Sequence, residues 1–235
     1  MQNIEVKILD HNLNRCMPIF LAQMTQRGHE ISSMSDLMQL YEKTINKTPS
    51  KYLIGLPHTT IKRMNYMIVA ITGLSTKCVS QLRTHATRLT FMSTSTQYSA
   101  FDKRPDNYTI PAGLSKDTEE HIHTAYTEIQ AIYNKLIDTG VDKDKAGYLL
   151  PQGLRKALII HGNMDAWQYV IQLRLCRRNT EETQYIMRLL YRELHNIAPD
   201  WCTNILPTCT STGCREGKFC CGRKLTEAEV LNNDF

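Results

Sequence analysis

The sequence predicts a mixed α/β protein, because the periodicities of both strands and helices occur along the chain. Ile4, Val6 and Ile8 alternate with charged residues, as in a half-buried strand. The run 64–72 is rich in apolar and β-branched residues and ends at a glycine, which favours a buried strand. Residues 115–140 carry apolar side chains at helical spacing, so a long amphipathic helix is expected there.

Capping and stop signals indicate the other elements. The predicted segments are helices over 13–27, 33–45, 74–87 and 163–175, a strand over 156–160, and a loop or lid over 102–113. A last helix is expected to begin at Asn179, with Glu182 in capping-box register, and to stop before Pro199. We therefore expect a central mixed sheet flanked by helices, in one domain.

The long helix is expected to follow Ser115 and to end at Gly140, since acidic residues follow the serine and glycine terminates helices. Its predicted core positions, spaced three or four residues apart, are Ile122, Ala125, Ile129, Ile132 and Leu136.

Composition narrows the classes of function. The 235 residues are 42% hydrophobic and 22% charged, with a net charge of +5 and no block of lysines and arginines. This balance suits a small anionic ligand and gives no reason to expect a nucleic-acid partner. No membrane span or signal peptide is recognisable, so a cytoplasmic protein without a membrane partner is expected. Its eight cysteines are then expected to be thiols or metal ligands.

The segment 81–99 carries the clearest functional signal. It combines two arginines, a histidine, two glutamines and many hydroxyls with few apolar side chains. Guanidinium and hydroxyl donors match phosphate oxygens, and glutamine and tyrosine side chains can bind the edge of a heterocycle. The segment therefore indicates a nucleotide site. The alternative is a polar surface helix followed by a Ser/Thr-rich strand.

Taken in order, several short motifs resemble the flavin-dependent thymidylate synthases. The matching residues are Pro57-His58, the strand 64–73, Ser75, Gln81, His85, Ser95-Thr96-Gln97-Tyr98, Leu150-Pro151, Asn163 and Leu173-Arg174-Leu175-Cys176. The resemblance covers roughly residues 1–200, which we take as the catalytic domain, and leaves 201–235 as a Cys/Gly-rich tail.

The chain departs from the family pattern at several charged positions. Thr84-His85-Ala86 stands where the family has Arg-His-Arg, and Met92-Ser93 replaces an Asn-Glu pair. Gln97, Gly147 and Asp165 each stand where the family has an arginine. The resemblance therefore implies a divergent member in which some phosphate or flavin contacts are lost or relocated.

The resemblance also implies roles for individual residues. Arg174 and Ser95 are the expected catalytic residues, since an arginine beside the pyrimidine can stabilise developing charge. The expected substrate-binding residues are Gln81, Ser95, Gln97, Tyr98 and Arg174. The expected cofactor-binding residues are His58, Thr60, Arg83, His85 and Asn163. For Arg174 the alternative is a solvated arginine at a helix end, and for Asn163 an ordinary N-cap.

The tail contains Cys209, Cys214, Cys220 and Cys221 among turn-forming glycines. Four thiols so close together could bind zinc, but the paired Cys-x-x-Cys spacing of strong zinc motifs is absent. A structural tail without metal is the expectation, and a metal site is the alternative.

The resemblance implies an enzyme that methylates C5 of dUMP to give dTMP. Methylenetetrahydrofolate would donate the carbon, reduced FAD the hydride, and NADPH would reduce the flavin. A homotetramer is also implied. Two alternatives stay open: methylation or hydroxymethylation of another uracil nucleotide such as UMP, and a nucleotide-binding relative without catalysis.

Overall fold

The computed structural model describes residues 4–102 and 107–232. The strands are β1 (Glu5–His11), β2 (Tyr66–Ser75), β3 (Thr90–Ser93) and β4 (Arg155–Asn163). The α-helices are α1 (Met17–Gln26), α2 (Met34–Thr44), α3 (Lys51–Gly55), α4 (Thr59–Arg63), α5 (Thr76–Arg83), α6 (Lys116–Asp138), α7 (Lys143–Ala146), α8 (Met164–Arg174), α9 (Glu181–Ile197) and α10 (Glu227–Asn232). The predicted α/β class is confirmed.

The four strands form one sheet in the order β1-β2-β4-β3, and every pair in it is antiparallel. The sequence predicts a mixed sheet, whereas all neighbouring strands in this sheet run antiparallel. The registers explain the difference: β2 and β3 both run antiparallel to β4, so they are parallel to each other, but β4 lies between them. Parallel strands are present in this sheet without being neighbours.

One core lies between the sheet and helices α5, α8 and α9. Trp167 of α8 is fully buried and its indole Nε1 donates to the Met67 carbonyl in β2, 3.1 Å away. Gly162 of β4 is required by close packing, because a Cβ at this position would lie 2.2 Å from Leu89 Cδ2. Beyond residue 200, Trp201, Ile205, Leu225 and Val230 are buried in the same core (their relative exposures are 2% or less).

The chain around the last strands departs from the predicted boundaries. Leu74 lies in β2, which ends at Ser75, instead of beginning the next helix, which starts at Thr76. The expected capping box at Asn179 is wrong, since Thr180 precedes α9. Glu182 instead accepts hydrogen bonds from the backbone N–H and the hydroxyl of Ser75, at 2.6 and 2.5 Å. Glu182 therefore binds a residue that is distant in the sequence instead of capping its own helix.

Helix α6 begins after Ser115 and is followed by Gly140 with a φ of 82°, as predicted. Its predicted core positions are partly wrong, because Ala125 and Ile132 are exposed. Gln130 and Tyr133 are buried instead, and both hydrogen-bond the backbone of Phe101. The helix therefore packs its polar face against the preceding loop. Residues 103–106 of that predicted loop lie outside the described residues.

Candidate functional site

Arg174 lies at the C-terminal end of α8 and its guanidinium forms four hydrogen bonds within the protein. Nε donates to His85 Nε2 at 2.8 Å and Nη1 donates to Asn179 Oδ1 at 2.9 Å. Nη2 donates to the Gln81 carbonyl at 3.2 Å and to Thr84 Oγ1 at 2.8 Å. Since a guanidinium has five N–H donors, these bonds fix its orientation and leave one Nη1 hydrogen for a ligand.

His85 follows α5 and is buried, with 7% of its surface exposed. Burial, together with the positive charges of Arg174 and Arg88, lowers the pKa of His85 to about 4. The ring is therefore neutral near pH 7, which allows Nε2 to accept the hydrogen bond from Arg174. In this chain His85 positions Arg174. Its expected contact with a cofactor stays a prediction.

Gln81 links α5 to the start of α9. Its side-chain Oε1 accepts hydrogen bonds from the hydroxyls of Thr180 and Thr183, both at 2.8 Å, and its backbone carbonyl accepts from Arg174. The amide nitrogen of Gln81 remains as a donor on the wall of a cavity of about 460 Å³. The cavity is also lined by Ser75, Tyr126, Gln152, Thr180 and Glu182.

A second group, which we call the cationic site, consists of Arg83, Lys156 and the chain at Ser93 and Thr94. Arg83 Nη2 donates to Ser93 Oγ at 2.9 Å, and Lys156 Nζ donates to the Thr94 carbonyl at 3.2 Å. Desolvation and the charge of Arg83 lower the pKa of Lys156. Within the described residues neither cation forms a salt bridge. An anion placed here would relieve their repulsion.

Lys156 and the preceding Arg155 line a cavity of about 470 Å³. Ser99, Phe101 and Asn107 contribute polar and aromatic surface to the same cavity. The Nε of Arg155 is buried and has no hydrogen-bond partner within the described residues. Cations, hydroxyls and an aromatic ring around one cavity suit a phosphorylated heterocycle.

The hydroxyl-rich turn after β3 holds three predicted substrate residues. Ser95 Oγ accepts hydrogen bonds from the backbone N–H groups of Gln97 and Tyr98, at 3.1 and 3.4 Å. The side chain of Tyr98 is 76% exposed. The hydrogen bonds of Ser95 stay within its own turn and those of Arg174 go to α5 and to the start of α9, so the two predicted catalytic residues share no partner in the described chain.

The remaining predicted cofactor residues lie at the other end of the sheet. His58 and Thr60 are exposed at the start of α4, which leads into β2. Asn163 ends β4 and caps α8 by accepting from the Ala166 N–H at 2.9 Å, so the ordinary N-cap geometry is present. Because β4 spans Arg155 to Asn163, these residues lie roughly 25 Å from the cationic site along the strand.

The structure shows the surroundings of the positions that lack the family arginines. Gly147 lies against Thr96, whose Cβ would be 3.5 Å from a Cβ at that glycine, so Gly147 and Gln97 mark the same surface. Asp165 is paired with Arg63 at 3.1 Å. The first two departures remove positive charge beside the hydroxyl-rich turn, and Lys156 supplies positive charge nearby through its bond to Thr94.

Sequence reasoning missed several residues of these groups. Thr84, Asn179, Thr180 and Thr183 hydrogen-bond Arg174 or Gln81, and Lys156 completes the cationic site. The sequence alone predicts Asn179 only as the N-cap of the last helix. The available signal was a cluster of polar residues between two helices, which does not identify partners across the fold.

A model of the family described as Thymidylate synthase complementing protein matches residues 8–200. A flavin-dependent thymidylate synthase of Pyrococcus furiosus is 25% identical over 146 residues, which cover 60% of this chain and 59% of that protein. A flavin-dependent thymidylate synthase of Sulfurisphaera tokodaii is 28% identical over 169 residues, covering 70% of this chain and 62% of the relative. These matches span less than two thirds of either relative's length.

Solved structures share the fold. The flavin-dependent thymidylate synthase ThyX from Helicobacter pylori, complexed with FAD and dUMP, superimposes with a TM-score of 0.61 at 15% identity, covering 86% of this chain and 99% of that one. The UMP/dUMP methylase PolB from Streptomyces cacaoi, bound with 5-Br dUMP, gives a TM-score of 0.64 at 16% identity, covering 91% and 97% of the two chains.

Proposed function

Because the chain belongs to the Thymidylate synthase complementing protein family, we propose that it is a flavin-dependent enzyme that methylates C5 of dUMP to give dTMP. The proposed carbon donor is methylenetetrahydrofolate, and NADPH is the proposed reductant of the flavin. FAD, when bound and reduced, supplies the hydride. The protein's own contribution is to bind and orient these molecules and to stabilise charge.

The observation that carries this proposal is the cationic site. Arg83 and Lys156 repel each other, lack acidic partners in the described chain, and lie beside hydroxyl groups. This is the donor set that phosphate groups require, and both FAD and dUMP carry phosphate. The residues present therefore fit the phosphate-bearing part of such ligands.

Arg174 is proposed to act on the pyrimidine ring. Its hydrogen bonds to His85, Thr84 and Asn179 hold the guanidinium in one orientation before a ligand arrives. A preorganised cation stabilises developing negative charge without reorganising during the reaction. Ser95, Gln97 and Tyr98 would bind the nucleotide through the hydroxyl-rich turn, and Gln81 through its free amide hydrogens.

We also propose a homotetramer located in the cytoplasm. The separation between Asn163 and the cationic site supports shared sites between subunits, since one chain places its proposed cofactor residues at two ends of the sheet. The 54% exposure of Ile132 on α6 offers apolar surface for such contacts. No helix within the described residues has the length and apolar character to cross a bilayer.

The test uses the full-length purified chain. After incubation with FAD and desalting, we expect bound flavin absorbance, and with NADPH and methylenetetrahydrofolate we expect dUMP to gain the mass of one CH2 unit, since the methyl group replaces a hydrogen. Protein that retains no flavin but still binds dUMP in calorimetry would contradict the enzyme and favour the nucleotide-binding alternative.

A second candidate is methylation of UMP. It is favoured by the UMP/dUMP methylase PolB, whose fold this chain shares. Two family arginines are also missing at Gln97 and Gly147, on one surface beside the hydroxyl-rich turn. Restoring charge there with Gln97→Arg should tighten dUMP binding by about 1 kcal/mol if phosphate lies against this surface. Calorimetric titration of wild type and Gln97→Arg with dUMP and UMP measures the preference between the two nucleotides and the affinity gained from the arginine. An unchanged Kd for both nucleotides would place the phosphate elsewhere.

A further inference from the structure

The tail contains a group of cysteines that the proposed reaction does not use. Five cysteines from two distant parts of the chain line one cavity of about 210 Å³, namely Cys176, Cys209, Cys214, Cys220 and Cys221. Cys176 follows α8, whereas the others lie more than thirty residues later in the sequence. The fold therefore returns the tail to the turn between α8 and α9, close to Arg174 and Asn179.

Two of these cysteines interact with each other and with nearby backbone groups. The side chains of Cys214 and Cys220 hydrogen-bond each other. Cys220 Sγ accepts from the Gly222 N–H at 3.4 Å, and Cys214 accepts from the Glu216 backbone. In both cases the donor is two residues after the cysteine. These hydrogen bonds show that the loop after each cysteine folds closely around its sulfur.

Basic side chains outnumber acidic ones around the cavity. Arg177, Arg178, Arg223 and Lys224 line it, against Glu216, which is paired with Arg178 at 3.7 Å. Glycines with positive φ at Gly213 (107°) and Gly222 (72°) allow the chain to turn tightly around the sulfur atoms. A cluster of cysteines with flanking cations and tight turns is typical of a structural site for a soft metal ion.

We propose that Cys176, Cys209, Cys214 and Cys220 bind one zinc ion as a tetrathiolate site that clips the tail to the turn between α8 and α9. Binding would release the thiol protons that remain on the four sulfurs. Cys221 is left out because adjacent cysteines do not readily bind one ion together, and its Sγ is directed to the Arg223 carbonyl, 3.5 Å away.

The site is not assembled in the structure. Within the described residues no group of three or more His, Cys, Asp or Glu side chains converges as metal ligands do. The sulfur atoms must move inward to bind one ion together, and a χ1 rotation moves a cysteine sulfur by about 3 Å. Zinc binding is therefore coupled to closure of the tail.

The experiment uses the full-length chain, reduced and treated with a chelator, then given zinc chloride or cobalt chloride alone. We expect about one zinc ion per chain and, with Co²⁺, the intense sulfur-to-metal absorption of a tetrahedral thiolate site. Zinc should also raise Tm by roughly 4 °C or more and protect Lys218 and Arg223 from trypsin.

Variants test which cysteines bind the ion. Cys209→Ser and Cys214→Ser should each weaken zinc binding at least tenfold, whereas Cys221→Ser, the matched control, should bind like wild type. Cys176→Ser is compared at equal folded fraction, judged by circular dichroism. The proposal is overturned if no zinc binds and the only change is a Cys214–Cys220 disulfide under oxidant. It is equally overturned if Cys221→Ser loses zinc as Cys214→Ser does.

Discussion

Arg174 and the cationic site present two contrasting uses of positive charge in one protein. Arg174 is surrounded by neutral acceptors that take up four of its N–H donors. Arg83 and Lys156 make one hydrogen bond each and repel one another. Arg174 is expected to contribute to stability, because its removal leaves the buried His85 and the half-buried Asn179 without a hydrogen-bond donor. Arg83 and Lys156 are expected to contribute to ligand affinity, because an anion that binds there relieves their repulsion. Substitutions in the two regions should therefore affect different measurements.

The largest expected effect is on stability, at Arg174. Arg174→Ala leaves acceptors on His85 and Asn179 without a donor, so we expect the free energy of unfolding to fall by about 2–4 kcal/mol. Urea denaturation measures the loss. Arg88→Ala is the control, since Arg88 only stacks on Tyr169 at 4.3 Å and should cost about 0.5–1 kcal/mol. Equal losses in the two variants would show that the hydrogen bonds of Arg174 add no stability.

The next effect concerns pH and His85. Its pKa is near 4 in the folded protein and near 6.5 when unfolded. Between these values the unfolded chain binds a proton that the folded chain does not, so stability falls as pH decreases, by about 3 kcal/mol in total. In His85→Gln, which keeps an acceptor for Arg174 but does not titrate, the part of this loss due to His85 should disappear. Denaturation of wild type and His85→Gln at pH 7 and at pH 4.5 measures this difference. Parallel pH dependences of the two proteins would mean that His85 is not the titrating group.

The smallest effect on folding, and the clearest on binding, is expected at the cationic site. Arg83→Ala combined with Lys156→Ala should weaken FAD or dUMP binding by about 1–3 kcal/mol while leaving Tm almost unchanged. Arg27→Ala combined with Lys47→Ala removes the same charge from an exposed surface elsewhere and serves as the control. If both double variants bind equally, only net charge matters and the cationic site is not a ligand site.

These contrasts also show how far sequence reasoning reached. Strand alternation predicted β1, and capping and breaker residues predicted α2 from Ser33 and α6 from Ser115, because these signals are local. The predicted capping box at Asn179 does not form, because Glu182 accepts hydrogen bonds from Ser75, which lies 107 residues away in the sequence. The core positions predicted for α6 are partly wrong for a related reason, since the preceding loop packs on Gln130 and Tyr133, which lie beside the predicted apolar stripe.

By itself, the sequence determined that this is an α/β protein with an arginine- and hydroxyl-rich segment suited to phosphate, because periodicity and side-chain chemistry are properties of short stretches. Only the tertiary structure decided which charges are free. Arg174 has four of its five N–H donors engaged because the chain around α5 and before α9 brings four acceptors to it. Within the described residues Lys156 has no acidic partner, and β3 and β4 place it beside Arg83. Most of these neighbours lie tens of residues away along the chain, and the electrostatic environment depends on distance in space rather than in sequence.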